Sequence, residues 1–491
     1  MGLVITPLQT PRRFNPLDQP MGKLQQLGGR ELVWRFDGGD ITSDGGALVL
    51  KKLEERTGIV RRLAACFEDY RSPDQIEHPL LDLIMQRVFG LALGYEDLND
   101  HDDLRRDPML AVALGKDDVK GEQRRRKQDR GKALAGKSTF NRLELTAPDY
   151  DGSPRQKESD KPETKKIVAD PESVDALLVD LFLEAHEQAP DHIILDVDAT
   201  DDLLYGKQEG RFYHGYYKDY CYLPLYVLCG EHLLCSRLRR SDIDASADSV
   251  EELEPLVARI RQRWPAVRIC LRGDSGFCRE KLMAWCESEG IDYVFGLAQN
   301  ARLKKQIEAQ MAAAEKQYEQ TQASARVFTE FLYATETTWS RERRVIAKAE
   351  HLDKGANPRF VVTSLSAEQK PAQELYEKGY CGRGEMENRI KEQQLDLFAD
   401  RTSTGKMWSN QLRLYFSSIA YVLLQTLRRT ALAGTELEKA QCGTIRLKLL
   451  KIGAQIRVTV RKVWVSLSEG YPYATLFARV LANLEAGCIS P

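Results

Sequence analysis

Two carboxylates stand at the end of a predicted buried strand near the middle of the chain. The run His192-Ile-Ile-Leu-Asp-Val-Asp-Ala-Thr is apolar and β-branched between its polar residues, a pattern typical of a strand. Asp196 and Asp198 are two residues apart, so their side chains point to the same face. A carboxylate in a buried strand is costly unless it is paired, hydrogen-bonded or bound to metal. The pair therefore marks a candidate catalytic site or, as the alternative, polar residues that only end the strand.

A third carboxylate follows a second strand-like run. Val267-Arg-Ile-Cys-Leu271 leads into Arg272-Gly-Asp274-Ser-Gly-Phe277, so Asp274 stands just past the end of that strand. Strand ends at one edge of a mixed sheet converge. We therefore expect Asp274 to lie near the first pair of carboxylates.

The next carboxylate lies on a predicted helix after the sheet. Spacings of three and four residues place Tyr380, Arg383, Glu387 and Lys391 along one stripe if the segment is helical. A helix packed on the sheet brings Glu387 alongside the strand ends. Three carboxylates clustered in this way suit Mg²⁺ or Mn²⁺, and two such ions promote in-line phosphoryl displacement. The alternative is a solvated helix face with ion pairs between neighbouring turns.

The elements that must position these residues follow a regular order. Strand, hairpin, helix, strand, helix and strand alternate, which predicts a mixed sheet flanked by helices. The predicted ranges are a lead-in helix at 174–188, then 192–198, 221–229 with 232–238, 246–263, 267–271, 279–289 and 293–297. A helix at 303–322 and strand-like runs at 327–333, 344–349 and 360–363 then predict a β-rich insertion. Trp339 lies within this insertion.

Basic residues crowd one part of the N-terminal region. Arg124, Arg125, Arg126 and Lys127 are consecutive, and such clusters neutralise DNA phosphates without reading sequence. The alternative is a solvated linker with acidic neighbours. The nearby run from Gly131 to Ser138 fits the spacing of a phosphate-binding loop. It follows charged residues that cannot form a buried strand, so we interpret it as a chance match.

Composition limits the class of protein. The 491 residues have a net charge of −2 and 42% hydrophobic residues, which indicates a globular chain with material for more than one domain. The ten cysteines include no Cys-x-x-Cys pair, so the sequence predicts neither a zinc site nor a disulfide framework. We find no signal-peptide core and no apolar run of membrane-spanning length. These features predict a cytoplasmic protein without a membrane partner.

The motifs together resemble a known family, the DDE transposases of bacterial insertion sequences. Within them the sequence is most similar to the insertion-sequence 1380 family, also described as transposase DDE domain group 1. The resemblance covers nearly the whole chain. Its motifs are Phe36-Asp-Gly-Gly-Asp-Ile-Thr-Ser-Asp-Gly-Gly46, Asp198-Ala-Thr-Asp-Asp202, Tyr222-Leu-Pro-Leu225, Arg272-Gly-Asp-Ser-Gly-Phe277, Asn357-Pro-Arg-Phe-Val-Val-Thr363 and Tyr380-x-x-Arg383-x-x-x-Glu387.

The resemblance implies an α/β fold and a reaction. The fold is an RNase H-like catalytic core, a mixed five-stranded sheet with flanking helices, interrupted by the β-rich insertion and preceded by a mainly helical DNA-binding region. The reaction is metal-dependent cleavage and strand transfer on DNA, by cut-and-paste and through a hairpin intermediate. The implied ligands of a two-metal site are Asp198, Asp274 and Glu387, with Asp196 as second choice for the first of them.

Further expectations concern DNA. The resemblance implies that Tyr380 and Arg383 position a phosphate near the cleaved end. Relatives carry Lys seven residues after the Glu, where this chain has Gln394, and Lys391 is the candidate substitute. Trp339 is a candidate for stacking on a base swung out of the duplex, or else a core residue. The expected partners are the terminal inverted repeats, target DNA and a second copy of the chain in a synaptic complex.

These expectations divide the chain into six regions. They are an N-terminal DNA-binding region (1–146), a linker with the lead-in helix (147–190), the first part of the core (191–302), the β-rich insertion (303–370), the second part of the core (371–435) and a C-terminal extension (436–491). Two other functions remain open at this point. One is a decayed transposase that only binds DNA, and the other is a glycosidase with paired carboxylates.

Overall fold

The computed structural model describes residues 23–27, 30–34, 36–152 and 164–486. Part of the predicted linker, residues 153–163, lies outside this range. The N-terminal region contains β1 (Lys23–Leu27), β2 (Arg30–Val33), β3 (Asp40–Thr42), α1 (Ala47–Thr57), α2 (Ile59–Ala64), β4 (Phe67–Asp69), α3 (Leu80–Leu93), α4 (His101–Leu104), α5 (Pro108–Ala113), α6 (Lys137–Glu144) and β5 (Ile167–Ala169).

The middle of the chain alternates strands and helices as predicted. Its elements are α7 (Pro171–Glu184), β6 (His192–Ala199), β7 (Asp202–Leu203), β8 (Phe212–His214), β9 (Asp219–Tyr222), β10 (Leu225–Cys229), β11 (His232–Arg237), α8 (Ser249–Arg263), β12 (Arg268–Gly273), α9 (Glu280–Ser288) and β13 (Asp292–Leu297).

The remainder begins with two helices and four strands. These elements are α10 (Ala301–Gln306), α11 (Glu308–Thr321), β14 (Ala325–Tyr333), β15 (Arg343–Leu352), β16 (Gly355–Ala356) and β17 (Arg359–Thr363). Helical segments and a last hairpin follow, namely α12 (Ala372–Glu374), α13 (Gly384–Leu397), α14 (Met407–Ala431), α15 (Cys442–Ile445), β18 (Ala454–Val458), β19 (Val463–Leu467) and α16 (Ala474–Ala486).

One large mixed sheet organises the middle of the molecule. Its first five strands lie in the order β11-β10-β6-β12-β13. β10 runs antiparallel to β6 and β11, whereas β12 runs parallel to β6 and β13. The predicted mixed sheet flanked by helices is therefore present. The parallel pairing of β6 and β12 brings the ends of both strands, with their carboxylates, to the same edge of the sheet.

The strands of the predicted insertion continue this sheet. β17 pairs antiparallel with β13, and β15 and β14 follow, so the sheet has nine strands when β16 is included. Without them β13 would expose a row of unpaired backbone groups, and β17 covers that edge. The sequence predicts these strands but not their continuity with the core.

Two main hydrophobic cores hold the fold together. One lies on a face of the sheet against α8 and α9. The other joins the N-terminal helices to the long buried helix α14 and to the C-terminal elements. β3 also pairs with β18, so the first and last predicted regions share one body.

The residues before the loop-like run 131–138 form a 3₁₀ turn, Lys127–Asp129, and no buried strand delivers the run to α6. Among the residues that the structure describes, no helix is both long and apolar enough to cross a membrane.

Candidate active site

Asp198 lies near the end of β6, where the strand meets the edge of the sheet. Its side chain is 15% exposed, and one carboxylate oxygen accepts a hydrogen bond from the backbone N–H of Ala199 at 3.0 Å. The other oxygen accepts from Arg383, 185 residues further along the chain, at 3.0 Å. This contact joins β6 to the helical segment after the sheet, although the two are far apart in the sequence.

Arg383 bridges two of the predicted carboxylates. Its second terminal nitrogen donates to Glu387 at 2.6 Å, one helical turn away on α13. The ion pair between neighbouring turns of the stripe is thus present, between Arg383 and Glu387. The same guanidinium also contacts Asp198 on β6. One guanidinium lies between carboxylates that come from the strand and the helix.

The pairing of the parallel strands places the third carboxylate close by, since Val197 pairs with Gly273 and the next residues are Asp198 and Asp274. Burial raises the pKa of Asp198 to about 6, Arg383 opposes that increase, and the charges of Asp274 and Glu387 add to it. Burial lowers the pKa of Arg383, but Asp198 and Glu387 outweigh this and raise it. Because such effects act over short range in a protein, all three carboxylates belong to one electrostatic cluster.

The loop that carries Asp274 is shaped by its glycines. An oxygen of Asp274 accepts from the backbone N–H of Gly276 at 2.8 Å, and a methyl group at Gly276 would lie 2.9 Å from that oxygen. A methyl group at Gly273 would lie 3.0 Å from Val197. Phe277 is fully buried and anchors the loop. The Arg-Gly-Asp-Ser-Gly-Phe motif is therefore a compact turn that holds Asp274 against β6.

Asp196, the second choice for the first ligand, is engaged elsewhere. Arg272, its partner across the parallel strands, donates to both of its oxygens at 2.5 and 2.7 Å. The two side chains are only 5% and 10% exposed. This ion pair satisfies Asp196 and leaves Asp198 as the strand carboxylate that faces Arg383.

Arg272 also docks the helical segment that follows the sheet. Its remaining nitrogen donates to the carbonyl oxygen of Gly379, and a methyl group at Gly382 would lie 2.6 Å from that nitrogen. The backbone passes here through a π turn (Leu375–Tyr380) and a 3₁₀ turn (Cys381–Arg383) before α13 begins. Irregular helical turns of this kind often occur at functional sites. Sequence reasoning missed Arg272, although an arginine at the end of an apolar run signals a buried partner.

Tyr380 lies on the other side of Asp274. A methyl group at Gly296 on β13 would lie 2.5 Å from the Tyr380 hydroxyl and 2.9 Å from the backbone nitrogen of Ser275. Glycine at that position therefore lets the phenol reach the loop after β12. The ring borders a cavity of about 300 Å³, which is also lined by Ser275, Gln299, Arg359 and Tyr376.

Lys391 and Gln394 differ in their surroundings. Lys391 is exposed one turn beyond Glu387. Gln394 donates to the carboxylate of Asp202 at 3.0 Å. Asp202 is completely buried, and its second oxygen has no partner among the described residues. Gln394 thus points to a buried acid near the start of β7.

That burial predicts a pH effect. Burial raises the pKa of Asp202 well above its ordinary value, Gln394 opposes the shift, and Asp400 adds to it. The folded chain therefore keeps a proton that the unfolded chain releases above about pH 4, and stability falls as pH rises. In Asp202→Asn we expect the free energy of unfolding to fall less steeply with rising pH, by up to about 1.4 kcal/mol per pH unit. Urea unfolding between pH 5 and pH 8 measures it.

A matched variant provides the control for this prediction. Asp353→Asn makes the same chemical change in an exposed turn and should keep the decline of the parent protein. If Asp202→Asn declined with pH as steeply as the parent, Asp202 would not hold the proton.

Trp339 packs against the core. Its ring is half-buried, meets Tyr333 edge to face at 5.7 Å and lies 5.5 Å from the guanidinium of Arg343. The core alternative describes this placement better than an open stacking surface does.

The basic tract divides into two pairs. Arg124 donates to Glu77 at 3.1 Å and to the carbonyl oxygen of Lys132 at 2.6 Å, and Arg125 donates to the carbonyl oxygen of Asp74 at 2.8 Å. These contacts hold the loop together. Arg126 and Lys127 are exposed. The first pair is therefore occupied within the protein, and the second is accessible to phosphates.

The donor atoms fit a hard divalent cation in kind. As they stand, no three Asp, Glu, His or Cys side chains in the described part of the chain are grouped to hold a metal ion. The guanidinium of Arg383 takes the cationic position between Asp198 and Glu387. Asp198, Asp274 and Glu387 nevertheless outnumber this one guanidinium. Carboxylate oxygens are the ligands that Mg²⁺ and Mn²⁺ prefer.

Comparisons with known proteins bear on this arrangement. The family model described as transposase DDE domain group 1 matches residues 24–487. A search of curated protein sequences found no match. A solved structure, a cryo-EM structure of a piggyBac transposase synaptic complex with hairpin DNA, is also similar. The likeness covers 83% of this chain and 80% of that chain, with 12% sequence identity and a TM-score of 0.38.

Proposed function

The chain belongs to the transposases that carry the DDE domain of group 1, and we propose that it is an active insertion-sequence enzyme. It binds terminal inverted repeats, cleaves a phosphodiester at the element's end and joins the freed 3′ end to another DNA strand. The observation that carries this proposal is the contact of Arg383 with Asp198 and Glu387, with Asp274 at the end of the strand that pairs with the strand of Asp198.

The strand order supports an RNase H-like core. In chain order, β6, β10, β11, β12 and β13 occupy positions 3-2-1-4-5 across the sheet, with the second strand antiparallel to both neighbours. This arrangement puts the ends of the first and fourth strands side by side. Asp198 and Asp274 come from those two ends, and Glu387 reaches them from α13.

Each residue of the cluster has a distinct role. Asp198, Asp274 and Glu387 would hold Mg²⁺ or Mn²⁺, which when bound activates the attacking oxygen and stabilises the leaving one. Arg383 neutralises Asp198 and Glu387 in the absence of DNA and would contact a DNA phosphate in the complex. Tyr380 orients the phosphate beside Asp274. Lys391, exposed one turn beyond Glu387, offers a second positive charge to the DNA backbone.

The products and partners follow from the family resemblance. The freed hydroxyl attacks the opposite strand, which forms a hairpin at the element's end and releases the flanking strand with its own 3′-hydroxyl. Water then opens the hairpin, and the regenerated 3′-hydroxyl of the element attacks target DNA. Two ends must be held together, so the working form is a homodimer on DNA in the bacterial cytoplasm.

A cleavage assay tests the proposal. The full chain is mixed with a labelled duplex that carries the element's terminal repeat, and nicks are mapped on a denaturing gel. We expect cleavage at the repeat end with Mg²⁺ or Mn²⁺, loss on chelation, and a hairpin product. Duplex binding without any cleavage in either metal would favour the alternative, a decayed transposase that only binds DNA.

The exposed half of the basic tract gives a separate prediction. The double variant Arg126→Ala/Lys127→Ala should bind duplex DNA more weakly because it makes two fewer phosphate contacts. The slope of log affinity against log salt should fall in magnitude by about 2. Fluorescence anisotropy across a salt series measures that slope.

Its control removes the same charge elsewhere. Lys304→Ala/Lys316→Ala changes two exposed lysines on α10 and α11, outside the basic tract. An equal loss of slope in both double variants would show that only the net charge of the chain matters, and the tract would lose its assigned role.

A further inference from the structure

The segment between β6 and β10 exposes an unusual number of tyrosines. Its three short strands form a sheet in the order β7-β9-β8. Tyr205, Tyr216, Tyr213 and Tyr220 are 88%, 83%, 57% and 38% exposed. Within the described residues, every exposed tyrosine belongs to this segment. Single exposed aromatics need no explanation, but a group on one small sheet indicates a surface that meets another molecule. We call residues 202–222 the tyrosine sheet.

The tyrosine sheet is anchored to the body of the protein. Its last residues, Cys221 and Tyr222, are fully buried. The hydroxyl of Ser241 donates to the carbonyl oxygen of Phe212 at 3.0 Å, and the side-chain amide of Gln208 donates to the carbonyl oxygen of Thr402 at 3.1 Å. The exposed rings contribute little to this anchoring. They are therefore exposed on a support that is held in place by buried residues and backbone contacts.

The rings are arranged for contact with flat partners. Tyr213 and Tyr220 are paired across β8 and β9, with ring centres 5.5 Å apart in an edge-to-face contact. The guanidinium of Arg211 lies 3.5 Å over the ring of Tyr220. Aromatic rings with cations beside them are the groups on which successive bases of single-stranded DNA stack.

Charge favours the same partner. Lys207 and Lys218 are exposed, and neither forms an ion pair with another described residue. Two acidic residues are also exposed here: Glu209 is engaged by Lys406 and by the backbone N–H of Met407, and Asp219 accepts from the backbone N–H of Tyr220. The surface thus offers free cations between the rings, as a phosphate backbone requires.

The tyrosine sheet adjoins the candidate active site. The hydroxyl of Tyr217 donates to the carbonyl oxygen of Ala199 at 3.3 Å, and Ala199 directly follows Asp198. The sheet that carries the exposed rings therefore borders the strand end that carries Asp198.

We propose that the tyrosine sheet binds unpaired DNA bases beside the point of cleavage. This inference rests on the proposed function, because it needs DNA at the carboxylates. It assigns the surface a stacking role that is independent of base identity. Trp339 is half-buried against the core, so the exposed tyrosines are better placed for this role.

The test compares two labelled DNA molecules bound by the full chain, measured by fluorescence anisotropy. One is a fully paired duplex, and the other has the same length with an unpaired single-stranded end. The variant is Tyr205→Ala/Tyr213→Ala/Tyr216→Ala, whose sites are all exposed. We expect about tenfold weaker binding of the unpaired DNA for each stacked base that is lost. Binding of the paired duplex should stay within about twofold.

A conservative variant separates stacking from other effects. Tyr205→Phe/Tyr213→Phe/Tyr216→Phe keeps the rings and should bind unpaired DNA like the parent. The salt dependence of the alanine variant should also match that of the parent, because no phosphate contact is removed.

The possible failures are distinguishable. If the parent protein binds neither DNA, the proposed function and this inference both fail. If it binds duplex and the alanine variant still binds unpaired DNA like the parent, only the inference fails. Light scattering detects a further outcome, in which the alanine variant no longer self-associates but still binds unpaired DNA. The surface would then be an interface between protein copies, and the inference would be overturned.

Discussion

Asp274→Asn is expected to lower the rate of strand cleavage by about 1,000-fold, the scale of losing one electrostatic group from a preorganised site. The substitution keeps the shape of the side chain and its acceptor oxygen, so the backbone N–H of Gly276 can still donate to position 274. What it removes is one negative charge from the cluster around Arg383. Because the phosphate contacts and the fold remain, binding of the terminal repeat should change by no more than about twofold.

The cleavage assay with labelled repeat measures this, and anisotropy measures binding in parallel. Asp353→Asn, the same change in an exposed turn, should leave both quantities unaltered. Undiminished cleavage by Asp274→Asn in Mg²⁺ would remove Asp274 from the active site. A loss of binding in step with cleavage would instead indicate that the loop has collapsed.

The strands that carry these carboxylates were predictable because they are apolar and short. The run 192–198 corresponds to β6, and the run 267–271 corresponds to the first residues of β12. The approximate position of Asp274 follows from the end of the second run. What the sequence cannot give is the pairing of strands, since β6 and β12 are parallel neighbours only after the chain between them has folded.

Three features lay beyond pattern reasoning for related physical reasons. The bond between Arg383 and Asp198 joins residues 185 positions apart, and no local spacing encodes it. The strands of the tyrosine sheet have two to four residues, too few for alternation to stand out. The strands after β13 read as an insertion because edge pairing is decided by backbone groups, which every sequence carries.

Arg272 connects β6, the loop after β12 and the helical segment that carries Tyr380. It pairs with Asp196 of the first strand, belongs to the motif that contains Asp274, and holds the carbonyl oxygen of Gly379 next to Tyr380. Burial raises the pKa of Asp196, and Arg272 opposes that shift. Removing the guanidinium leaves a buried carboxylate without its partner. We therefore expect Arg272→Met to lower the free energy of unfolding at pH 7 by about 3–5 kcal/mol.

The deficit should shrink at lower pH. Without Arg272 the pKa of Asp196 rises further, so the folded variant takes up a proton that the unfolded chain does not, and its relative stability improves as pH falls. Arg259 is a matched control, since it also makes a bidentate pair, with Asp180 at 2.6 and 2.7 Å, but its side chain is 40% exposed. Arg259→Met should cost at most about 1 kcal/mol.

A double variant separates the fold from the function of this residue. In Asp196→Leu/Arg272→Met no unpaired charge remains, and an apolar pair of similar volume recovers most of the lost stability. The carbonyl oxygen of Gly379 still loses its donor, so the segment that carries Tyr380 and Arg383 is no longer fixed to β12. We expect a folded protein that cleaves at least about tenfold more slowly, because misplacing catalytic groups by about 1 Å costs up to 100-fold. Full recovery of cleavage together with stability would reduce Arg272 to a structural counterion.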